Sequence, residues 1–211
     1  MVQLAHRIAA ALAVLAVLMA TPALAAPLKI LAFGDSLTAG YGLPDTDSFA
    51  SKLQAALKAR GHDVVVVNSG VSGDTASDGA ARLDWSLTDD IGAVIVELGA
   101  NDALRGVDPA VTRQALDTIL ARLSEKKLPV LLAGMYAPRN LGSPYVDEFD
   151  RIYGDLAKQY DALLYPFFLD GLLGQAALNQ PDGMHPTAAG VDVIVERIIP
   201  SVEDLIAKAA P

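Results

Sequence analysis

The stretch LKILAFGDSLT, residues 28–38, joins an aliphatic run to a turn that contains a serine. Residues 28–33 are almost continuously apolar, which is typical of a strand buried on both faces of a sheet. Gly34, Asp35 and Ser36 then place small and polar groups directly after that strand. Because parallel sheets bind ligands beyond the carboxyl ends of their strands, this turn is a candidate site.

Four further aliphatic runs follow and alternate with longer amphipathic stretches. The predicted strands are 28–33, 64–67, 93–98, 130–133 and 162–167, and the predicted helices are 48–60, 75–87, 108–126, 144–159 and 187–208, the last with a break allowed at Pro200. Strict alternation predicts right-handed crossovers and an α/β fold with a doubly wound parallel sheet of about five strands. The one long irregular stretch, 169–186, is a candidate functional loop.

The N-terminal segment has the pattern of a secretory signal. An apolar run at 8–19 follows Arg7 and leads to the small-residue sequence TPALA at 21–25. The run is shorter than the ~20 residues that a membrane span needs, so no stable membrane anchor is expected. We therefore predict a signal peptide at 1–25, a single domain at 26–211, and a periplasmic or secreted protein.

Composition narrows the classes of partner and cofactor. The formal charge of −9 becomes −10 once the charge of Arg7 is removed, and such a surface repels nucleic acid and anionic membranes. The chain has no cysteine and only two histidines after residue 25, so neither a disulfide nor a Cys/His zinc site is expected. A small monomer is the default expectation.

Small and amide-bearing residues also follow the second and third predicted strands. Gly73 lies in NSGVSGD at 68–74, and Asn101 lies in GAND at 99–102. Acyl transfer needs a nucleophile, a base that takes its proton, and donors aimed at the developing oxyanion. Ser36 is the predicted nucleophile, and its own N–H, the Gly73 N–H and the Asn101 side-chain amide form the predicted oxyanion hole.

The base follows almost by elimination. Of the two histidines after residue 25, His62 lies in a predicted helix-to-strand turn, whereas His185 lies in QPDGMHP at 180–186. Asp182, three residues upstream, can hold the His185 imidazole in the tautomer that faces the nucleophile. Each signal alone is weak, and their order after successive strands is what favours a catalytic triad.

These motifs resemble the four blocks of the GDSL/SGNH hydrolase family. The matching segments are Gly34-Asp35-Ser36-Leu37, Gly73 within Ser72-Gly73-Asp74-Thr75, Gly99-Ala100-Asn101-Asp102 and Asp182-Gly183-Met184-His185-Pro186. The sequences DSLTAGY at 35–41 and NDALRG at 101–106 are most similar to the thioesterase I, lysophospholipase and arylesterase branch. The resemblance implies a flavodoxin-like three-layer α/β/α sandwich (the SGNH hydrolase fold), a Ser36–His185–Asp182 triad, an oxyanion hole from Ser36, Gly73 and Asn101, and no cofactor.

The expected substrate is a small ester, thioester or lysolipid. The residues predicted to line an apolar acyl pocket are Leu104, Met135, Tyr136, Ala137, Pro138, Leu141 and Tyr145, although plain packing explains Tyr136 and Tyr145 equally well. Two alternatives stay open. One is a polysaccharide acetyl esterase, and the other is a relative that binds glycans or lipids without catalysis.

Overall fold

Five parallel strands form the central sheet in the order β2-β1-β3-β4-β5. The computed structural model describes residues 26–210, so the predicted signal peptide lies outside the described residues. The strands are β1 (Leu28–Gly34), β2 (Val64–Gly70), β3 (Ile91–Glu97), β4 (Val130–Ala133) and β5 (Leu163–Tyr165). Residues Ile30 to Phe33 of β1 are almost completely buried, as expected for a strand covered on both faces.

Helices cover both faces of the sheet and complete a three-layer α/β/α sandwich. They are α1 (Ser36–Ala39), α2 (Phe49–Ala59), α3 (Ala76–Ser86), α4 (Ala100–Arg105), α5 (Pro109–Glu125), α6 (Ser143–Gln159) and α7 (Ala188–Ala209), with 3-10 turns at Asp45–Asp47, Arg139–Leu141 and Ala176–Leu178. Helices α2 and α7 pack together on one face, and α3, α5 and α6 pack side by side on the other. The fold class predicted from the alternating pattern is confirmed.

The strand order places the loops after β1 and β3 next to each other. The chain leaves β1 toward β2 on one side and later returns to form β3 on the other side of β1. Such a reversal opens a crevice at the carboxyl ends of the two central strands, which is where α/β sheets bind ligands. Ser36 follows β1 and Asn101 follows β3, so both predicted site residues lie at this crevice.

The structure changes several predicted boundaries. Strand β2 continues to Gly70 because residues 68–70 keep pairing with the end of β1. Strand β5 ends at Tyr165, since Pro166 has no N–H to donate to the ladder. Helix α7 runs unbroken through Pro200, which lies on its exposed face, so the interruption allowed there does not occur.

Two short helices were not predicted as separate elements. Helix α1 begins at Ser36 and is capped by the Asp35 side chain, which accepts a hydrogen bond from the Leu37 N–H. Helix α4 contains Asn101 and begins after Gly99, whose φ of 111° lies in the left-handed region that favours glycine. Both begin at the carboxyl edge of the sheet.

Candidate active site

Ser36 lies at the first position of α1, in a turn that leaves almost no room for larger residues. Its side chain is nearly buried, with 9% of its surface exposed. A Cβ at Gly34 would clash with the Thr38 hydroxyl and lie 2.6 Å from the carbonyl oxygen of Glu97, so glycine is required there. The turn therefore holds Ser36 close against the end of β3.

His185 and Asp182 reach Ser36 from the irregular segment before α7. The His185 Nε2 atom lies 2.9 Å from Ser36 Oγ, and His185 Nδ1 lies 2.7 Å from Asp182 Oδ2. In the tautomer that donates Nδ1–H to Asp182, Nε2 is free to accept the serine proton. His62 is engaged elsewhere, 3.2 Å from Glu203. The structure thus brings together the three residues that the sequence predicted to act jointly.

Asp182 is held as a carboxylate by its own loop. Its Oδ1 atom accepts hydrogen bonds from the backbone N–H groups of His185 and Met184, at 3.0 and 2.9 Å. The His185 backbone N–H, the His185 side chain and the Met184 N–H together lower the pKa of Asp182 to about 2. This carboxylate therefore stays ionised and opposes the positive charge that a protonated His185 would carry.

The Asn101 amide faces two protein acceptors rather than open space. Its Nδ2 atom donates to Asp35 Oδ2 and to the Asp74 carbonyl oxygen, at 3.0 Å each. Gly73 precedes Asp74, has a φ of +91°, and does not itself line the cavity beside Ser36. The predicted oxyanion donors thus lie on adjoining loops, with Asn101 already hydrogen-bonded on both of its N–H groups.

Two carboxyl groups are buried beneath the Ser36 turn. Asp35 is fully buried, and burial raises its pKa to about 6, although hydrogen bonds from Leu37 and Asn101 favour the ionised form. Glu97, also fully buried, accepts hydrogen bonds from the Thr38 hydroxyl (2.7 Å) and the Asp35 N–H (3.4 Å). Burial and the Asp35 charge raise the pKa of Glu97 well above its ordinary value, which favours the neutral form of this carboxyl group.

An apolar cavity of about 410 Å³ opens beside Ser36 and His185. Five of the predicted acyl-pocket residues line it, namely Leu104, Met135, Tyr136, Ala137 and Pro138. Leu141 and Tyr145 do not. Arg139 is the last residue of this segment that lines the cavity, and Tyr145 instead packs on Phe149 and donates its hydroxyl to the Val107 carbonyl.

Other residues that line the cavity were not predicted individually. They include Phe167, Leu169, Leu172, Leu173, Gly174, Asn179, Gly183 and Met184. Most of these belong to the irregular stretch 169–186. The apolar side chains in this stretch, which lie outside any predicted helix or strand, were the sequence signal that could have identified them as cavity residues. Tyr41 was also missed; its ring lies on the His185 imidazole, with centroids 4.5 Å apart.

Within residues 26–210, no group of three or more metal-ligating side chains occurs. None of the helices in this part of the chain is both long enough and apolar enough to cross a membrane.

Comparisons with known proteins identify the family of this chain. The model of the GDSL-like Lipase/Acylhydrolase family matches residues 32–193. Esterase TesA of Pseudomonas aeruginosa (strain PAO1) is 38% identical over 183 residues, which cover 86% of this chain and 91% of that protein. Thioesterase 1/protease 1/lysophospholipase L1 of Escherichia coli (strain K12) is 34% identical over 178 residues, which cover 84% of each.

A solved structure is similar to this chain over most of its length. The crystal structure of AlinE4, an SGNH-hydrolase family esterase, is 47% identical and has a TM-score of 0.72, over 88% of this chain and 97% of that one. The family match spans the segments that carry Ser36, Gly73, Asn101 and His185. The chain therefore belongs to the GDSL-like lipase/acylhydrolase family.

Proposed function

We propose that this hydrolase cleaves carboxylic esters and thioesters through an acyl-enzyme formed on Ser36. One observation carries the proposal. The Ser36 Oγ and His185 Nε2 atoms lie 2.9 Å apart at an apolar cavity, with Asp182 2.7 Å behind the imidazole. A nucleophile, a base and an orienting carboxylate in hydrogen-bond contact are the requirements for acyl transfer.

In this reaction His185 accepts and donates the protons that are transferred. Ser36 Oγ attacks the carbonyl carbon while His185 Nε2 takes the hydroxyl proton, and the N–H groups of Ser36, Gly73 and Asn101 stabilise the oxyanion. His185 then gives the proton to the departing alcohol or thiol, which leaves the acyl group on Ser36. A water molecule, deprotonated by the same imidazole, releases the acid and restores the serine.

The cavity favours substrates with an apolar acyl chain. Its lining includes Leu104, Met135 and Phe167, and further apolar side chains come from segment 169–174. Burying an alkyl chain there is worth about 0.8 kcal/mol per methylene removed from water. The names of two relatives, an esterase and a thioesterase/lysophospholipase, point to the same substrates, which include lysolipids.

The direct test is turnover of p-nitrophenyl butyrate by the Ser36→Ala variant. We expect its kcat to fall by on the order of 10⁴–10⁶, as for other serine nucleophiles, with an unchanged circular dichroism spectrum. The matched control is Ser77→Ala, because Ser77 is an exposed serine on α3 that lies outside the cavity. Activity close to that of the unaltered enzyme in Ser36→Ala would refute the proposal.

A substrate panel separates the acyl-chain assignment from its alternatives. We expect p-nitrophenyl esters, an acyl-CoA and a lysophospholipid to be hydrolysed with higher kcat/KM than acetylated xylan. Preference for the acetylated polysaccharide would indicate a polysaccharide acetyl esterase. Binding of glycan or lipid with no turnover of any ester would indicate a non-catalytic protein.

We also propose that the protein is exported and then acts as a monomer. The support for export is the signal-like sequence at 1–25, in which an apolar run after Arg7 leads to small residues. The mature protein, purified from the periplasm or the medium, should begin at Ala26 and elute from a sizing column as one chain. A mature protein that retains residues 1–25 would contradict the export proposal.

A further inference from the structure

Asp35 is a buried carboxyl group that the steps above do not use. Both of its oxygens accept hydrogen bonds, Oδ1 from the Leu37 N–H and Oδ2 from Asn101 Nδ2, at 3.0 Å each. The first bond caps the helix that carries Ser36, and the second crosses from the β1 loop to the β3 loop. Asp35 therefore touches the scaffold of the nucleophile and one predicted oxyanion donor at once.

The surroundings of Asn101 decide which end of its amide points toward Asp35. One of the two terminal atoms of the Asn101 side-chain amide lies 3.0 Å from an oxygen of the Asp35 carboxylate and 3.0 Å from the backbone carbonyl oxygen of Asp74. A carboxylate and a carbonyl can only accept, so the amide nitrogen must face both of them. A reversed amide would place its own oxygen against these two acceptors and lose both hydrogen bonds.

We propose that Asp35 is a positioning residue that holds the amide nitrogen of Asn101, rather than its carbonyl oxygen, on the side from which it donates to the oxyanion. This inference rests on the proposed function, in which Asn101 donates to the oxyanion. Asp35 holds one N–H throughout the reaction. The substrate oxygen takes the second N–H from the Asp74 carbonyl as negative charge develops.

The orientation of the Asn101 amide depends on whether Asp35 is ionised. An ionised Asp35 only accepts, whereas a protonated Asp35 can donate to the Asn101 carbonyl oxygen and so favour the reversed amide. The ionisable groups that act on Asp35 are Glu97, Asp74 and His185. Burial raises the pKa of Asp35 to about 6, so the carboxylate form prevails at pH 8.

The test compares Asp35→Asn and Asp35→Ser with Asn101→Ala, using p-nitrophenyl butyrate at pH 8. In Asp35→Asn the new side-chain NH₂ faces the Asn101 NH₂ and drives it to reverse. In Asp35→Ser the acceptor for Asn101 is lost, but serine still caps the Leu37 N–H. We expect each variant to lose on the order of 10²–10³ in kcat, the usual effect of one lost oxyanion donor, with KM within about threefold of the unaltered enzyme.

Asp108→Asn is the matched control. Asp108 is also a helix N-cap that accepts from the N–H two residues ahead, at 2.9 Å from Ala110, and it lies outside the cavity. Its kcat should equal that of the unaltered enzyme. A comparable loss in Asp108→Asn would mean that capping, and not orientation of Asn101, explains the effect at Asp35.

The double variant Asp35→Ser/Asn101→Ala separates positioning from general damage to the site. Once the Asn101 amide is gone, loss of Asp35 should reduce kcat by no more than about threefold further, because both changes remove the same donor. Multiplied losses of about 10⁴ or more would overturn the proposal, as would kcat near that of the unaltered enzyme in Asp35→Asn. Failure of the proposed function is a different result, since Ser36→Ala in the same assay would then stay active.

If the Asp35 variants do not fold, the pH dependence of the unaltered enzyme still tests the role of Asp35. Between pH 4.5 and 5.5 the acid limb of log kcat/KM against pH should be steeper than the slope of one that a single general base gives, because protonation of Asp35 is a second cause of lost activity. Asp182 adds nothing to this slope, since its pKa is held at about 2. A slope of one in that range would overturn the proposal.

Discussion

Two aspartates serve the same reaction centre from opposite surroundings. Asp182 lies on an exposed loop with 34% of its side chain accessible, and hydrogen-bond donors lower its pKa to about 2. Asp35 is fully buried beneath Ser36, and burial raises its pKa to about 6. The exposed acid is therefore ionised at any working pH, whereas the charge of the buried acid depends on pH and lowers the stability of the fold.

The two aspartates also differ in how far apart they and their partners lie along the chain. Asp182 binds a histidine three residues away, so one short loop supplies both groups. Asp35 binds Asn101 across 66 positions and two strands of the sheet. Asp182 thus acts through a local pair, and Asp35 acts only once the sheet has brought two loops together.

The largest expected effect is at Asp182. Asp182→Asn removes the carboxylate that fixes the tautomer of His185, and we expect kcat for p-nitrophenyl butyrate to fall by about 10⁴ at pH 7. That loss exceeds the one expected for Asp35→Asn by at least tenfold. Steady-state kinetics of both variants in one buffer checks the ranking, and equal losses would remove the distinction between the two acids.

The raised pKa of Asp35 should affect the pH dependence of the free energy of unfolding. A pKa raised from 3.8 to about 6 means that the native state binds the proton more tightly than the unfolded state. The contribution of Asp35 to stability is therefore fully present below pH 3.8 and is lost as the pH rises through 6, by up to roughly 3 kcal/mol.

Asp35→Asn removes this pH-dependent loss. Relative to the unaltered protein, the variant should gain about 1–3 kcal/mol in free energy of unfolding between pH 4 and pH 8, measured by urea titration. Asp182→Asn should show no such gain, because the pKa of Asp182 is shifted in the opposite direction. A difference between Asp35→Asn and the unaltered protein that is constant with pH would contradict the raised pKa.

The smallest expected effect is at Glu97. Because the raised pKa of this carboxyl favours its neutral form, Glu97→Gln exchanges it for an uncharged group of nearly the same shape. The glutamine oxygen can still accept from Thr38, so kcat should stay within about threefold and the melting temperature within a few degrees. A large loss of activity in Glu97→Gln would show that Glu97 acts as a charged group beside Asp35.

Much of the fold and part of the site could be predicted from local sequence patterns. Aliphatic runs alternating with amphipathic stretches were enough to identify the parallel sheet, and residues that follow successive strands must meet at one edge of it. The spacing of Asp182 and His185 is itself a local pattern. Ser36 gained its significance from its position after the first strand and not from its tripeptide.

Features set by packing between distant segments were not predictable in the same way. The pairing of Asp35 with Asn101 depends on side-chain directions, which the sequence does not specify. Tyr145 has the composition of a pocket residue, but its hydroxyl is drawn to the Val107 carbonyl instead. Part of the cavity lining comes from an irregular segment, 169–174, that carries no periodic signal.

The central claim is that Ser36 is the nucleophile and that His185 activates it. The most direct measurement treats the purified enzyme with a fluorophosphonate probe and locates the adduct by mass spectrometry of its peptides. We predict a single adduct on Ser36, no labelling of Ser36→Ala, and much slower labelling of His185→Ala. An adduct on another residue, or full labelling of Ser36→Ala, would contradict the account.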